Sequence, residues 1–367
     1  MSRVFTYLKN IHTYVHCARS YLRGGICIHG VILAAGTGER LKGLTRTLPK
    51  ALVQVAGKTL LEYSIERFTK ANIQDIVIAV GWKGDMIRNA ITQIADLPEV
   101  KIVDVSNYEI GPLQTLTTAL AEVHNEESII CPVDLLISSE AISDIISHHA
   151  NNQNTLVTLA VDLQSTSGSI VSLDSHGRVL GVQKEVGNAD VIVRSAMFMV
   201  TSTGFAEYCK KALNSGSTTA VSVLNDIIER GHTIQSYEVC EKWYDLDTVD
   251  DVLEANKYLL ESGLGLYHGS VFIPSGDTMD IGDALSLGSG INIGSGVTLK
   301  GPCLIERESS IGANCIIGPF TSLGIRTQIG IQCEIQNVVI FGESKISNHT
   351  KLSDILMNES EIFRTEE

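Results

Sequence analysis

From Ile281 onward, apolar residues recur every six positions: Ile281, Leu287, Ile293, Leu299, Ile305, Ile311, Ile317, Leu323, Ile329, Ile335 and Phe341. Neither the 3.6-residue period of a helix nor the two-residue period of a strand produces that spacing. The next residue is glycine at 282, 288, 294, 312, 318, 324, 330 and 342, eight of the eleven sites, where 32 glycines in 367 residues predict about one. A hexapeptide period of this kind is the signature of a β-helix whose hexads form the flat sides of a prism. The first residue of each hexad then points inward, and the small residues Cys303, Ser309, Cys315, Thr321 and Cys333, four positions on, pack near the core. At three hexads per coil, residues 281–346 make about 3.7 coils. We expect a left-handed parallel β-helix over 281–352, a linker over 263–280 and a tail over 353–367.

The preceding segment has a different texture. Val31-Ile32-Leu33 and Asp75 to Val80 read as buried strands, and between them Leu61, Ile65 and Phe68 fall on one face of a helix. Lys101 to Val105, Ser128 to Val133 and Thr155 to Val161 supply further strands, with helices over Gln114 to Val123 and Ala141 to His149. This alternation predicts an α/β domain over 31–262 built on a doubly wound, mostly parallel, Rossmann-like sheet.

Directly after the first strand comes Leu33-Ala34-Ala35-Gly36-Thr37-Gly38-Glu39-Arg40-Leu41. A glycine-rich turn there lets backbone N–H groups approach phosphates closely. The chain carries a net charge of -14, so Arg40 and Lys50 supply positive charge that is otherwise scarce. The same acidity argues against nucleic acid or an anionic membrane as a partner. Gly-x-Gly after a strand could equally open a dinucleotide site or a tight turn.

The continuation is more specific. Residues 41 to 63, running through Pro49-Lys50 and Gly57-Lys58, resemble the signature of the sugar-1-phosphate nucleotidyltransferases, a glycine loop followed by P-K and G-K-P-L. Glu39, Gly43 and Thr59 depart from it, while the spacing is intact. Gly81-Trp82-Lys83-Gly84, Gly111-Pro112-Leu113-Gln114, Pro132-Val133-Asp134, Gln183-Lys184-Glu185 and Trp243 to Thr248 resemble further family segments. The resemblance covers about 31 to 346, and most closely concerns the thymidylyl- and uridylyl-transferring members.

The resemblance implies a reaction in which a sugar-1-phosphate attacks the α-phosphorus of UTP or dTTP and expels pyrophosphate. It implies nucleotide contacts from Leu33 through Glu39 and from Gly111, with Gln114 pairing to a pyrimidine edge. Arg40 and Lys50 would hold the phosphates and Lys184 the sugar phosphate. Mg²⁺ would sit on Asp134 and Asp245, with Asp247 as the rival second ligand. Asp250 and Asp251 read instead as the acidic start of a helix.

The repeat domain admits three roles: homo-oligomerisation, an acyl-transfer site with His349 as base, or a place in a silent regulatory subunit. The last is opposed by the joint presence of Arg40, Lys50, Asp134 and Asp245. The eight cysteines show no metal-ligand spacing and suit a cytoplasmic protein. Residues 1–30 hold Arg3, Lys9, Arg19 and Arg23 and no acidic residue. They read as an amphipathic helix, an upstream start or a targeting segment.

Overall fold

A computed structural model describes residues 28–41, 43–152, 154–165, 168–263, 269–359 and 361–364, without the Arg40 side chain. The readings made for residues 1–27 lie outside that range. No helix among the described residues is long and apolar enough to cross a membrane.

The first domain is built on strands β1 (His29–Ala34), β2 (Asp75–Val80), β3 (Glu99–Asp104) and β4 (Ser128–Pro132), all parallel and ordered β3-β2-β1-β4. Helix α1 (Leu60–Lys70) links β1 to β2; its capping box joins Thr59 to Glu62, and Leu61, Ile65 and Phe68 are buried. The Phe68 ring lies so close to Gly30 that a Cβ there would come within 2.5 Å of it. Helix α2 (Gly84–Ile91) links β2 to β3, and α3 (Pro112–Ala121) leads into β4. A two-residue strand β5 (Leu135–Leu136) and helix α4 (Ser139–Asn151) follow.

The rest of this sheet is less parallel than expected. β6 (Thr155–Asp162), β7 (Ile170–Leu173) and β8 (Val179–Val182) precede β9 (Val191–Thr201), which runs antiparallel to β4, β6 and β7. Only β10 (Thr233–Glu238), reached through α5 (Phe205–Asn214) and α6 (Ala220–Glu229), restores parallel pairing, with β6. The sheet is therefore mixed, because the connections between β7, β8 and β9 are too short to carry crossover helices. β11 (Tyr244–Asp245) pairs antiparallel with β5 and runs into α7 (Val249–Glu261), whose capping box joins Thr248 to Asp251.

The second domain is a stack of short strands on three faces. Residues 291–293, 310–311, 328–329 and 345–346 form one; 297–300, 316–317 and the starts of 334–341 and 351–358 another; 303–305, 321–323 and the ends of those two long strands the third. Asn292 pairs with Ser310 and Ser310 with Gln328, an offset of 18 residues; Gln328 pairs with Lys345, where the offset shortens by one. Ile291, Ile293, Leu299, Ile305, Ile317, Leu323 and Ile335 fill the interior, with Cys303, Cys315 and Cys333 beside them.

Many of the repeat glycines are there for space. A Cβ on Gly294, Gly312, Gly324 or Gly330 would lie 2.4–2.6 Å from an atom of the next coil, mostly backbone. Gly282 and Gly288 have open space instead, because the first two hexads are not part of the parallel stack. Strands 271–273, 278–281 and 285–287 run antiparallel against the first coil, so the expected linker already carries strand and the coils begin later than 281. At the other end the expected tail continues the fold: strand 351–358 pairs with 334–341, and 361–364 returns against it. Lys351, Ser353 and Asp354 are exposed while Ile355, Leu356 and Met357 are buried, which is why the segment reads as polar from its charges alone.

One face of the stack breaks the rule that outward residues are polar. Leu304, Val339 and Leu356 point out of the coils and are buried against α7 and the segment 41–60. Buried Asn256 on α7 ties the parts together: its Oδ1 accepts from Ala56 N–H at 3.0 Å and Ser322 Oγ at 2.7 Å, and its Nδ2 donates to Phe320 C=O at 3.0 Å. Glu306, which interrupts the glycine series, is also buried in the described fold. Burial, followed by the Glu62 charge, pushes its carboxyl up from the usual range to about 7. A raised acid favours the folded protein below its unfolded value and loses that advantage as pH rises through the folded one. Glu306→Gln should therefore stabilise the protein by roughly 2–3 kcal/mol at pH 8 and by little at pH 4, read as denaturation midpoints at the two pH values; equal effects at both would contradict this.

Candidate active site

Beyond the C-terminal ends of β1 and β4, where the strand order reverses, lies a cavity of about 590 Å³, the usual place for a ligand in an open α/β sheet. Leu33, Ala34, Ala35, Gly36, Thr37, Gly38, Glu39 and Gly111, singled out from sequence, all line it, as do Lys50, Asp134 and Asp247. The Arg40 side chain lies outside the described residues.

The glycine loop is held from several sides. Ala35 C=O accepts from Trp82 N–H, and Gly38 C=O accepts from Leu41 N–H and the Thr45 hydroxyl. The Trp82 indole donates to Thr45 C=O. Gly38 has φ +68°, and a Cβ there would press on Thr45 and Lys50, so its glycine character is required. Nothing lies within 4 Å of a Cβ built on Gly36, which faces open space.

Pro49 starts a short 3₁₀ turn, Lys50–Leu52, that turns Lys50 inward until its side chain is only 8% exposed. Its Nζ donates to Asp134 Oδ2 at 2.5 Å and to Asp247 Oδ1 at 2.6 Å. Burial by itself would lower the ammonium's pKa; the Asp134 and Asp247 carboxylates outweigh it and hold the pKa above the ordinary lysine value, so Lys50 is a fixed cation at neutral pH.

Asp134 stands just past β4, and Leu246 N–H donates to its carbonyl across the β5–β11 ribbon. That ribbon brings Asp134, Asp245 and Asp247 together, each with an oxygen within 4.8 Å of the others'. Asp134 Oδ1 is buried with no hydrogen-bond partner among the described residues. An orphaned carboxylate oxygen beside two further carboxylates fits a hard divalent cation. Both rival ligands, Asp245 and Asp247, are thus in reach. Asp251 is a helix cap, as expected of it, and accepts from Asp247 N–H and Thr248 N–H.

Three expected residues are placed elsewhere. Gln114 does not line the cavity; its amide donates to Thr118 Oγ1 at 3.2 Å one helical turn along α3. Lys184 folds over Gly181 and reaches Glu229 at 3.4 Å on the exposed side of α6. His349 is exposed at a coil corner with φ +59°, in a column of left-handed corners that includes Gly296, Asn314 and Gln332. Its N–H donates to Ile331 C=O, a structural use of the position.

Tyr108, Glu109 and Thr115 line the cavity without having been singled out. A Cβ on Gly81 would strike the Tyr108 ring and Ala35 C=O at 2.7–2.8 Å. That glycine was the one sequence signal that something packs over the end of β2.

Residues 29–262 match the family profile described as Nucleotidyl transferase, and residues 299–364 match that described as GMPPB C-terminal domain. A glucose-1-phosphate thymidylyltransferase of Streptomyces antibioticus is 25% identical over 63% of this chain and 66% of its own length. A mannose-1-phosphate guanyltransferase of Emericella nidulans is 24% identical over 63% of this chain and 64% of its own. The chain thus spans just under two thirds of the length of these relatives. A crystal structure of apo UDP-glucose pyrophosphorylase shares the fold, with a TM-score of 0.55 at 16% identity over 65% of this chain and all of that one.

Replacing Lys50 by Met leaves three clustered carboxylates without their ammonium, at an expected cost of about 3–5 kcal/mol. Added Mg²⁺ should restore more stability to this variant than it adds to the wild type. Thermal melts with and without the metal check both points, and an unchanged melting point would refute the role given to Lys50.

Proposed function

The chain belongs to the nucleotidyl transferase family, and we propose that it joins a nucleoside triphosphate to a sugar-1-phosphate, releasing pyrophosphate. The observation that carries this is the convergence of the glycine loop, Lys50 and the three aspartates on one cavity. In the reaction an oxygen of the sugar phosphate forms a bond to the α-phosphorus as the α–β bridging bond breaks, and both electrons leave with pyrophosphate. Such a transfer needs positioning and charge stabilisation more than covalent help from the protein.

The loop 36–39 offers backbone donors to the triphosphate, and Lys50, held charged by Asp134 and Asp247, faces the phosphates being exchanged. Arg40, next in the loop, is assigned to the leaving pyrophosphate. Asp134, Asp245 and Asp247 would hold Mg²⁺, which supplies neutralisation of the phosphate charge. For Lys184 to meet the sugar phosphate it must leave Glu229, a weak exposed pair that costs little to break.

For the base, a pyrimidine read by Gln114 needs that amide to leave Thr118 and turn toward the cavity. Glu109 already lines the wall, and a carboxylate there could accept from two adjacent N–H donors such as those on the Watson–Crick edge of guanine. Glu109 therefore favours guanine, a reading in keeping with the profile matched by 299–364. The second domain we read as a left-handed β-helix that assembles copies of the chain, with exposed Ile316 and Ile331 on its outer surface; light scattering should give a mass above one chain, and a monomer would exclude this.

Asp134→Asn should abolish metal-dependent pyrophosphate release while leaving the melting curve cooperative. Competition among GTP, UTP, dTTP and CTP with a panel of sugar-1-phosphates reads the base, and a preference for UTP or dTTP would return it to Gln114. Near-normal turnover by the variant would remove Asp134 from the site.

A further inference from the structure

Between the glycine loop and Pro49-Lys50 the first domain meets the end of the second. Phe363, on the returning strand 361–364, packs on Gly43 so that a Cβ there would come within 2.8 Å of its ring. In the antiparallel pairing Phe363 lies across from Leu356, and both join the apolar cluster that buries Leu41 and Leu44. A proline or any other residue with a Cβ would meet the ring. The seat therefore depends on a glycine that departs from the family signature.

From Gly43 the contacts lead to the cavity. Its carbonyl accepts from Arg46 N–H at 3.0 Å and opens the single helical turn Leu44–Thr47. Within that turn the Thr45 hydroxyl donates to Gly38 C=O at 2.9 Å, and Thr45 C=O accepts from the Trp82 indole at 3.2 Å. Lys83 Nζ donates to Thr47 C=O at 2.7 Å. The tip of the glycine loop has little packing of its own, since a Cβ on Gly36 would meet nothing within 4 Å. Its shape is set from the turn, which Trp82 and Lys83 hold on one side and Phe363 on the other.

We propose that Phe363 is a positioning residue for the triphosphate. By seating Gly43 it fixes the turn 44–47 and, through Thr45, the loop 36–39 in the form that turns N–H groups toward phosphate. A loop ordered in advance loses less freedom on binding than one the ligand must order, and so binds more tightly. The last strand of the repeat domain thereby becomes part of the nucleotide site without touching the nucleotide.

Isothermal titration of the full chain with GTP, UTP, dTTP and CTP in Mg²⁺ reads triphosphate affinity, and thermal melts read folding. For the triphosphate that binds tightest, Phe363→Ala should weaken binding roughly fivefold, and Phe363→Leu, which keeps an apolar side chain, should fall between it and wild type. Val339→Ala removes buried surface from the same cluster, but no atom of Val339 lies within 4 Å of a Cβ on Gly43. It should lower the melting point and leave affinity unchanged. Ile362→Ala, at a side chain 43% exposed on the same strand, should change neither. Wild-type affinity in whichever Phe363 variants fold, or an equal loss in Val339→Ala, would overturn the proposal. The role of Phe363 rests on the reading of the loop as a triphosphate site. A wild type that binds none of the four nucleotides would sink both, whereas binding that ignores Phe363 sinks this role alone.

Discussion

The Lys50 ammonium between Asp134 and Asp247 is the contact on which the rest of the site depends. It joins three parts of the chain that are far apart in sequence: the turn after the glycine loop, the end of β4 and the approach to α7. Each part has its own local support. Pro49 sets up the turn, Leu246 N–H bonds the Asp134 carbonyl across the ribbon, and Thr248 with Asp251 caps the helix. The ion pairs make these three supports one object, because a buried ammonium without its carboxylates, or carboxylates without it, would be left charged in a poorly solvated place.

The repeat domain is part of the same object. Leu304, Val339 and Leu356 share a buried cluster with Leu41, Leu44 and Leu253. Phe363, from the returning strand, packs against Gly43 so closely that a Cβ there would lie 2.8 Å from its ring. The segment that follows the glycine loop is thus clamped between the first domain and the coils. Buried Asn256 supplies the polar link, satisfying Ala56 N–H and Phe320 C=O. This packing also accounts for Gly43, one of the departures from the family signature.

Much of this was legible in the chain. Hydrophobic spacing located α1 and β2, and the six-residue period located the coils, because both depend on which side chains face a core. The glycine loop, Lys50 and Asp134 were singled out by motif and spacing, and the fold brings all three to one cavity. Other features resisted. The antiparallel run of β9 depends on which partner strand it meets, and the polar start of strand 351–358 hides the buried Ile355 to Met357. Gln114 was assigned to the base and Lys184 to the sugar phosphate, and neither lines the cavity. Their directions are decided by Thr118 and Glu229, neighbours that no motif contains.

Periodicity and residue chemistry settle alone that this chain has an α/β part and a six-residue repeat, since burying apolar surface and seating backbone against backbone leave few other solutions. Tertiary structure decided what those parts do to one another. It brought Asp247 beside Asp134 and stood Glu109 and Tyr108 at the cavity wall. Electrostatic and steric contacts of this kind fall off within a few ångströms and join residues up to two hundred positions apart, a distance that sequence spacing does not encode.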